Sequence, residues 1–204
     1  MYRDLLILCL LFGCTLAVNA NEKVIVAGDT WCPINCGEKD QEKGYMIDVA
    51  THALALSGYE LVYLEMPWAR AISLARRGEI HAIVGAFEGD APDFYFPKFH
   101  LLNISPNHLF TLKDSQWQYK NIRSLNEINL GAIKGYDYGE LLNNYIKSLD
   151  ENDQQNVNQL FGNDAVKRNI LALLKNRIDV VVESGPVFWY HTKKMGLETE
   201  FSEA

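Results

Sequence analysis

The chain has 204 residues, 48% of them hydrophobic and 11% aromatic, which suffices for one core or two small lobes and excludes a disordered chain. Its formal net charge of -7 argues against a nucleic-acid partner on electrostatic grounds. The acidic balance does not choose among small-molecule ligands, because local charge governs their binding.

Residues 1–20 read as a secretory signal. Arg3 is followed by an apolar run from Leu5 to Val18, too short and poorly flanked for a membrane span, and Val18-Asn19-Ala20 fits a small-residue cleavage site. This places the mature chain in the periplasm. Leu11-Phe12-Gly13-Cys14 departs from a lipoprotein box at the bulky Phe12, so lipid anchoring is the lesser reading. Glu22 to Gly28 then predicts a strand. After it comes Cys32-Pro33-Ile34-Asn35-Cys36, and in an oxidising compartment this pair is expected as a disulfide that fixes the loop. A metal site would need two further ligands, and no His or Cys sits nearby.

Gly44 to Ser57 predicts a helix with Met46, Val49, Ala50 and Ala53 on its apolar face, closed by Gly58. Tyr59 to Met66 follows as a strand. Pro67 suits the first turn of the next helix, Arg76 and Arg77 suit its last turn, and Gly78 suits a left-handed cap. Ile80 to Phe87 reads as a buried strand ending in small residues. This β-α-β-α-β order calls for a parallel sheet with helical crossovers. Glu88 to Pro97 is a loop rich in Asp, Gly and Pro, and His108 to Lys113 reads as a connecting strand.

A second α/β unit follows. Ser124 to Glu127 has a capping-box spacing, Leu130 to Ile133 is a strand, and Gly135 to Gly139 is a turn opening a helix from Glu140 to Leu149. Asn158 to Phe161 reads as a brief strand, and Asn163 as the cap of a helix from Asp164 to Lys175. Ile178 to Val182 reads as a buried strand, and Pro186 to Met195 as a helix. Zinc, P-loop and DNA-binding patterns are absent, and His52, His81, His100, His108 and His191 show no ligand spacing. No metal and no cofactor is expected.

Four segments carry a resemblance. Gly44-Tyr45-Met46-Ile47-Asp48-Val49-Ala50, Met66-Pro67-Trp68 with Leu74, Gly78, Glu79 and Ile80, Leu130 to Gly135, and Asn176 to Glu183 resemble, in order, the motifs of the extracellular solute-binding proteins of family 3, the amino-acid type that serves ABC importers. The resemblance implies an α/β, two-lobed periplasmic-binding-protein-like fold closing on a ligand about a hinge. Residues 21–108 would form the first lobe, 109–195 the second, and 196–204 a truncated return segment, which leaves the first lobe short of part of its cover. The family's carboxylate-binding Arg is missing: its place reads Phe87-Glu88-Gly89-Asp90-Ala91-Pro92-Asp93. Glu183 matches the acidic position that meets a ligand ammonium group.

The candidate ligand-binding residues are Trp31, Trp68, Arg70, Gly85, Ala86, Phe87, Tyr136, Asp137, Tyr138 and Glu183. Trp31 and Trp68 stack on a ligand or pack a lobe. Arg70 clamps an anion through its planar fork or is a solvated helix charge. Asp137 belongs to an anion site at a helix start or is that helix's own cap. Glu183 meets a ligand or a structural cation. The implied function is non-catalytic capture of a small polar solute by a monomer that meets an ABC permease. Two alternatives stay open: a cyclohexadienyl-dehydratase-like enzyme with Glu183 or Glu88 as acid, and a sensing module that docks on a membrane receptor.

Overall fold

The computed structural model describes residues 21–99, 107–151 and 156–204. The expected signal over 1–20, His100 and part of the expected connection near 104–112 lie outside them. Among the described residues no helix is long and apolar enough to cross a membrane.

The first sheet has the order β2-β1-β3, built from β1 (Glu22–Gly28), β2 (Tyr59–Glu65) and β3 (Ala82–Ile83). Both pairings are parallel, with Gly28 opposite Glu65 and Ala27 opposite Ile83. The crossovers are α1 (Tyr45–Leu56) and α2 (Trp68–Arg76). Alternation along β1 divides the core between the two faces. Val26 packs with Ile47, Tyr63 and Val84, while Ala27 packs with Met66, Ala71 and Ile80.

β3 is much shorter than the strand expected over Ile80 to Phe87. The ladder does continue locally, since His81 N–H donates to the Ile25 carbonyl and Val84 N–H to that of Ala27. Gly85 then takes φ +84°, a left-handed conformation that turns the chain across the sheet's end. Apolar composition predicted burial there; the backbone at Gly85 decides where pairing stops.

The second sheet has the order β6-β5-β7-β4-β8. Its strands are β4 (His108–Leu112), β5 (Leu130–Ile133), β6 (Val157–Leu160), β7 (Val180–Glu183) and β8 (Phe201–Glu203). β5 pairs in parallel with β6 and β7, and β4 runs antiparallel to β7 and β8. Helices α3 (Glu140–Glu151), α4 (Ala165–Leu174) and α5 (Gly185–Lys194) complete this lobe. β7 is buried along its whole length, as a strand covered on both faces should be. Val181 joins Phe110, Ile133, Ile170 and Phe188 on one face; Val180 and Val182 join Leu125, Leu130 and Tyr138 on the other. Phe110 and Phe188 stack with ring centroids 3.7 Å apart.

Three local expectations are corrected. The capping box before β5 is made by Asn121 and Ser124 rather than by Ser124 and Glu127, because the Asn121 side chain accepts from the helical turn and Ser124 reaches back. Asp164, not Asn163, is the residue before α4, and its carboxylate pairs with Arg168 at 2.9 Å. Residues 196–204, expected as a return toward the first lobe, place β8 on the edge of the second sheet against β4.

Candidate functional site

Both sheets direct loops toward one cavity. Its walls are Asp29, Trp31, Asn35, Trp68, Val84, Gly85, Phe87 and Asp90 from the first lobe, with Asn107, Tyr136 and Asp137 facing them. The cavity measures about 20 Å³, room for about one water. The lobes are therefore closed on each other in this arrangement.

The loop after β1 builds the first wall. Cys32 and Cys36 form a disulfide, and within this loop Trp31 N–H donates to the Asn35 carbonyl at 2.7 Å. Asn35 is fully buried, and its Nδ2 donates to the Asp29 carbonyl at 2.6 Å, fixing the backbone beside that carboxylate. Trp31 and Ile34 do not stay in their own lobe: both pack into the second lobe's core with Ile133, Val181 and Phe188. Asp40 lies within 4.8 Å of the two sulfurs, but each sulfur is bonded to the other.

Among the described residues three hydrogen bonds cross from lobe to lobe. Trp31 Nε1 donates to Glu183 Oε1 at 3.0 Å, the Tyr136 hydroxyl to Asp29 Oδ2 at 2.5 Å, and the Asp137 N–H to Asp90 Oδ1 at 2.9 Å. Trp68 meets Tyr136 edge-on with centroids 6.2 Å apart. Gly89 approaches Asp137 so closely that a Cβ there would sit 1.8 Å from Asp137 Oδ2. That carboxylate cannot easily yield, since its Oδ1 accepts from Gly139 N–H and Asn143 Nδ2.

The electrostatics are one-sided. Asp29, Asp90 and Asp137 line the cavity, and among the described residues no Lys, Arg or His does. Among the described residues none of these three, nor Glu183, forms an ion pair with a cation. Burial pushes the Asp29 carboxyl up to about 6, against the hydrogen bond from Tyr136. Burial likewise raises Asp90 to about 6 and Glu183 to about 7. The charged neighbours that act on these groups, Asp29, Asp90, Asp137 and Glu65, are acids and push the same way.

Of the residues singled out in the sequence, Trp31, Trp68, Gly85, Phe87, Tyr136 and Asp137 meet at this cavity. Four do not line it. Ala86 faces an adjoining groove beside Phe94 and Phe96. Arg70 is exposed on α2. Tyr138 is buried, its hydroxyl accepting from Ile133 N–H at 2.6 Å. Glu183 is buried and accepts from Trp31 Nε1, and the structural ion pair considered for it is not formed among the described residues. Asp137 also serves the local turn through Gly139 and Asn143. Asp29, Asn35, Val84, Asp90 and Asn107 escaped the sequence reading. Asp29 follows the end of β1 directly, a position that a strand-end argument could have reached. Asp90 sits in a loop whose composition gives no sign of which way it faces.

No protein-family model matches the chain, and no curated protein matches it in sequence. Solved structures do. A mutant of arginine-bound ArgBP from T. maritima aligns with a TM-score of 0.66 at 18% identity, covering 89% of this chain and 80% of that one. An ABC uptake transporter substrate-binding protein from Streptococcus pneumoniae with bound histidine gives 0.66 at 18%, covering 90% and 74%. A histidine kinase sensor domain similar to periplasmic binding proteins gives 0.70 at 15%, covering 90% and 77%. The likeness shows the fold, an α/β periplasmic-binding-protein-like architecture with two sheets.

Proposed function

We propose that this chain is a periplasmic solute-binding protein that captures a small polar solute, amino-acid-like or related, for an ABC importer and without catalysis. The observation that carries the reading is a cavity between two α/β lobes, walled by four aromatic residues and three carboxylates, with hydrogen bonds crossing the gap. Those bonds use the groups that a solute would use. Opening exposes Asp29, Asp90 and the Trp31 ring and makes room that the closed cavity lacks, and a solute that bridges both lobes stabilises a looser closure around itself by contacts that the open form cannot make. Opening also uncovers Glu183, which then meets an ammonium group of the solute. A sensing module on a receptor would use the same capture event and differ only in the partner met afterwards.

Catalysis at Glu183 is the weaker reading, because that carboxyl does not line the cavity and its Oε1 is taken by Trp31 Nε1 and Ser184 N–H. A thermal-shift screen with amino acids, amines and organic acids tests the proposal. A true solute at about 100 times its Kd adds roughly 2.7 kcal/mol of stability. A well-folded sample that responds to nothing across the panel refutes capture.

A further inference from the structure

Within the capture reading, on which this inference rests, we propose that the solute is a small organic cation with ammonium groups and no carboxylate, an aliphatic diamine, held by Asp29, Asp90 and Asp137 among the cleft's aromatic rings. The first argument is charge. Three carboxylates line the cavity with no cationic side chain among the walls that the described residues form. A solute carboxylate would enter against like charge with no Lys, Arg or His to receive it, whereas an ammonium group finds a partner on either lobe. A dication balances more of this charge than a monoamine does.

The second argument is the rings. Trp31 and Phe87 meet edge-on at 6.2 Å, as do Trp68 and Tyr136, so two aromatic pairs wall the same space. Aromatic faces attract cations through their quadrupole and offer an anion nothing equivalent. The third argument is independent of both. Asn35, fully buried, presents an Oδ1 that among the described residues has no hydrogen bond, although the equally unpartnered Tyr63 hydroxyl is its neighbour, and it lies 2.9 Å from where a Cβ on the wall residue Gly85 would sit. A buried carbonyl oxygen of this kind costs stability until a donor reaches it, and an ammonium group is a triple donor. Trp68 Nε1, on a residue 6% exposed, also lacks a partner and faces Asp90, so its N–H tightens onto that carboxylate once an ammonium holds it in place.

Burial holds Asp29 and Asp90 near 6, so a cation that needs them ionised displaces protons as it binds. The groups facing Asp29 are Tyr136, Asp90 and Glu65; those facing Asp90 are Asp137, Trp68 and the Phe87 N–H. None is a cation that could supply the compensation instead.

Isothermal titration calorimetry of the full chain at pH 7.5 tests this with 1,4-diaminobutane, 1,5-diaminopentane, arginine, histidine, glutamine, succinate and calcium chloride. The expected result is diamine binding at least tenfold tighter than any other probe, with affinity rising about a hundredfold from pH 5 to pH 7, about tenfold for each of the two carboxylates, and net proton release at pH 6. Asp29→Asn should weaken the diamine at least tenfold while Tyr136 keeps its acceptor; Asp90→Asn, at a half-buried site, gives the same reading if Asp29→Asn fails to fold. Arginine, histidine or glutamine binding as tightly as a diamine would overturn the inference and leave solute capture standing. Tight succinate or calcium binding, or full diamine affinity in both variants, would overturn it as well. Silence from every probe would overturn the inference and, if the wider screen is equally silent, the capture reading too.

Discussion

Replacing Glu183 with glutamine should stabilise the ligand-free protein at alkaline pH and leave it nearly unchanged in acid. Glu183 is 2% exposed, and its Oε1 accepts from Trp31 Nε1 at 3.0 Å and from Ser184 N–H at 2.7 Å. Those two donors favour the ionised form, but burial outweighs them, and the Asp29 charge adds to burial. The pKa rises from 4.5 to about 7. A carboxyl raised by folding keeps its proton in the folded chain at pH values where the unfolded chain has released it. The stabilisation is therefore complete below about pH 4.5 and is lost as the pH rises through 7. At roughly 1.36 kcal/mol per pH unit, the loss comes to about 3 kcal/mol by pH 8. Glutamine keeps an oxygen for both donors and needs no proton. At roughly 2–4 °C per kcal/mol for a chain of this size, E183Q should melt about 6–12 °C above the parent at pH 8. Differential scanning calorimetry of both proteins from pH 4 to pH 8 reads the difference directly. A gap that stays flat or shrinks as the pH rises would refute the reasoning.

Gly89→Ala should hold the lobes apart, because its methyl would collide with Asp137 Oδ2, and small-angle scattering should show a larger radius of gyration without loss of helix content. Scattering identical to the parent's would mean that the closed approach is not formed in solution. Arg70→Ala should change solute affinity by less than about twofold, since the side chain is exposed and off the cavity wall, with stability within roughly 0.5 kcal/mol. A tenfold loss in calorimetry would restore Arg70 to the site. Phe188→Ala removes a fully buried ring stacked on Phe110 and should cost about 3–5 kcal/mol in urea unfolding. A loss under about 1 kcal/mol would dismiss the second lobe's core as described.

The alternation of β-branched runs with helical periodicity made the two α/β units readable, because each crossover needs an apolar strand followed by a one-faced helix. Strand ends were readable only where glycine conformation did not intervene. Eight residues from Ile80 look equally apolar, yet Gly85 turns the chain after Ile83 has paired. The aromatic part of the site was legible for a related reason: Trp31, Trp68 and Tyr136 follow strands or open helices at the sheets' carboxyl ends, where loops converge. Of the acidic part only Asp137, in the turn before a helix, was legible. Asp29 and Asp90 come from two other loops, and a one-dimensional reading cannot tell a solvated loop aspartate from one turned inward until burial is known.

Trp31 fills a slot in the second lobe's interior and at the same moment walls the cavity between the lobes. A substitution at this ring is thus a folding mutation and a selectivity mutation together, and selection cannot adjust one without disturbing the other. Phe87, Asp90 and Asn107 line the same chamber but belong to none of the four buried clusters. Under the proposed capture, drift in solute preference between lineages should accumulate at those three positions, while the tryptophan is retained by the architecture.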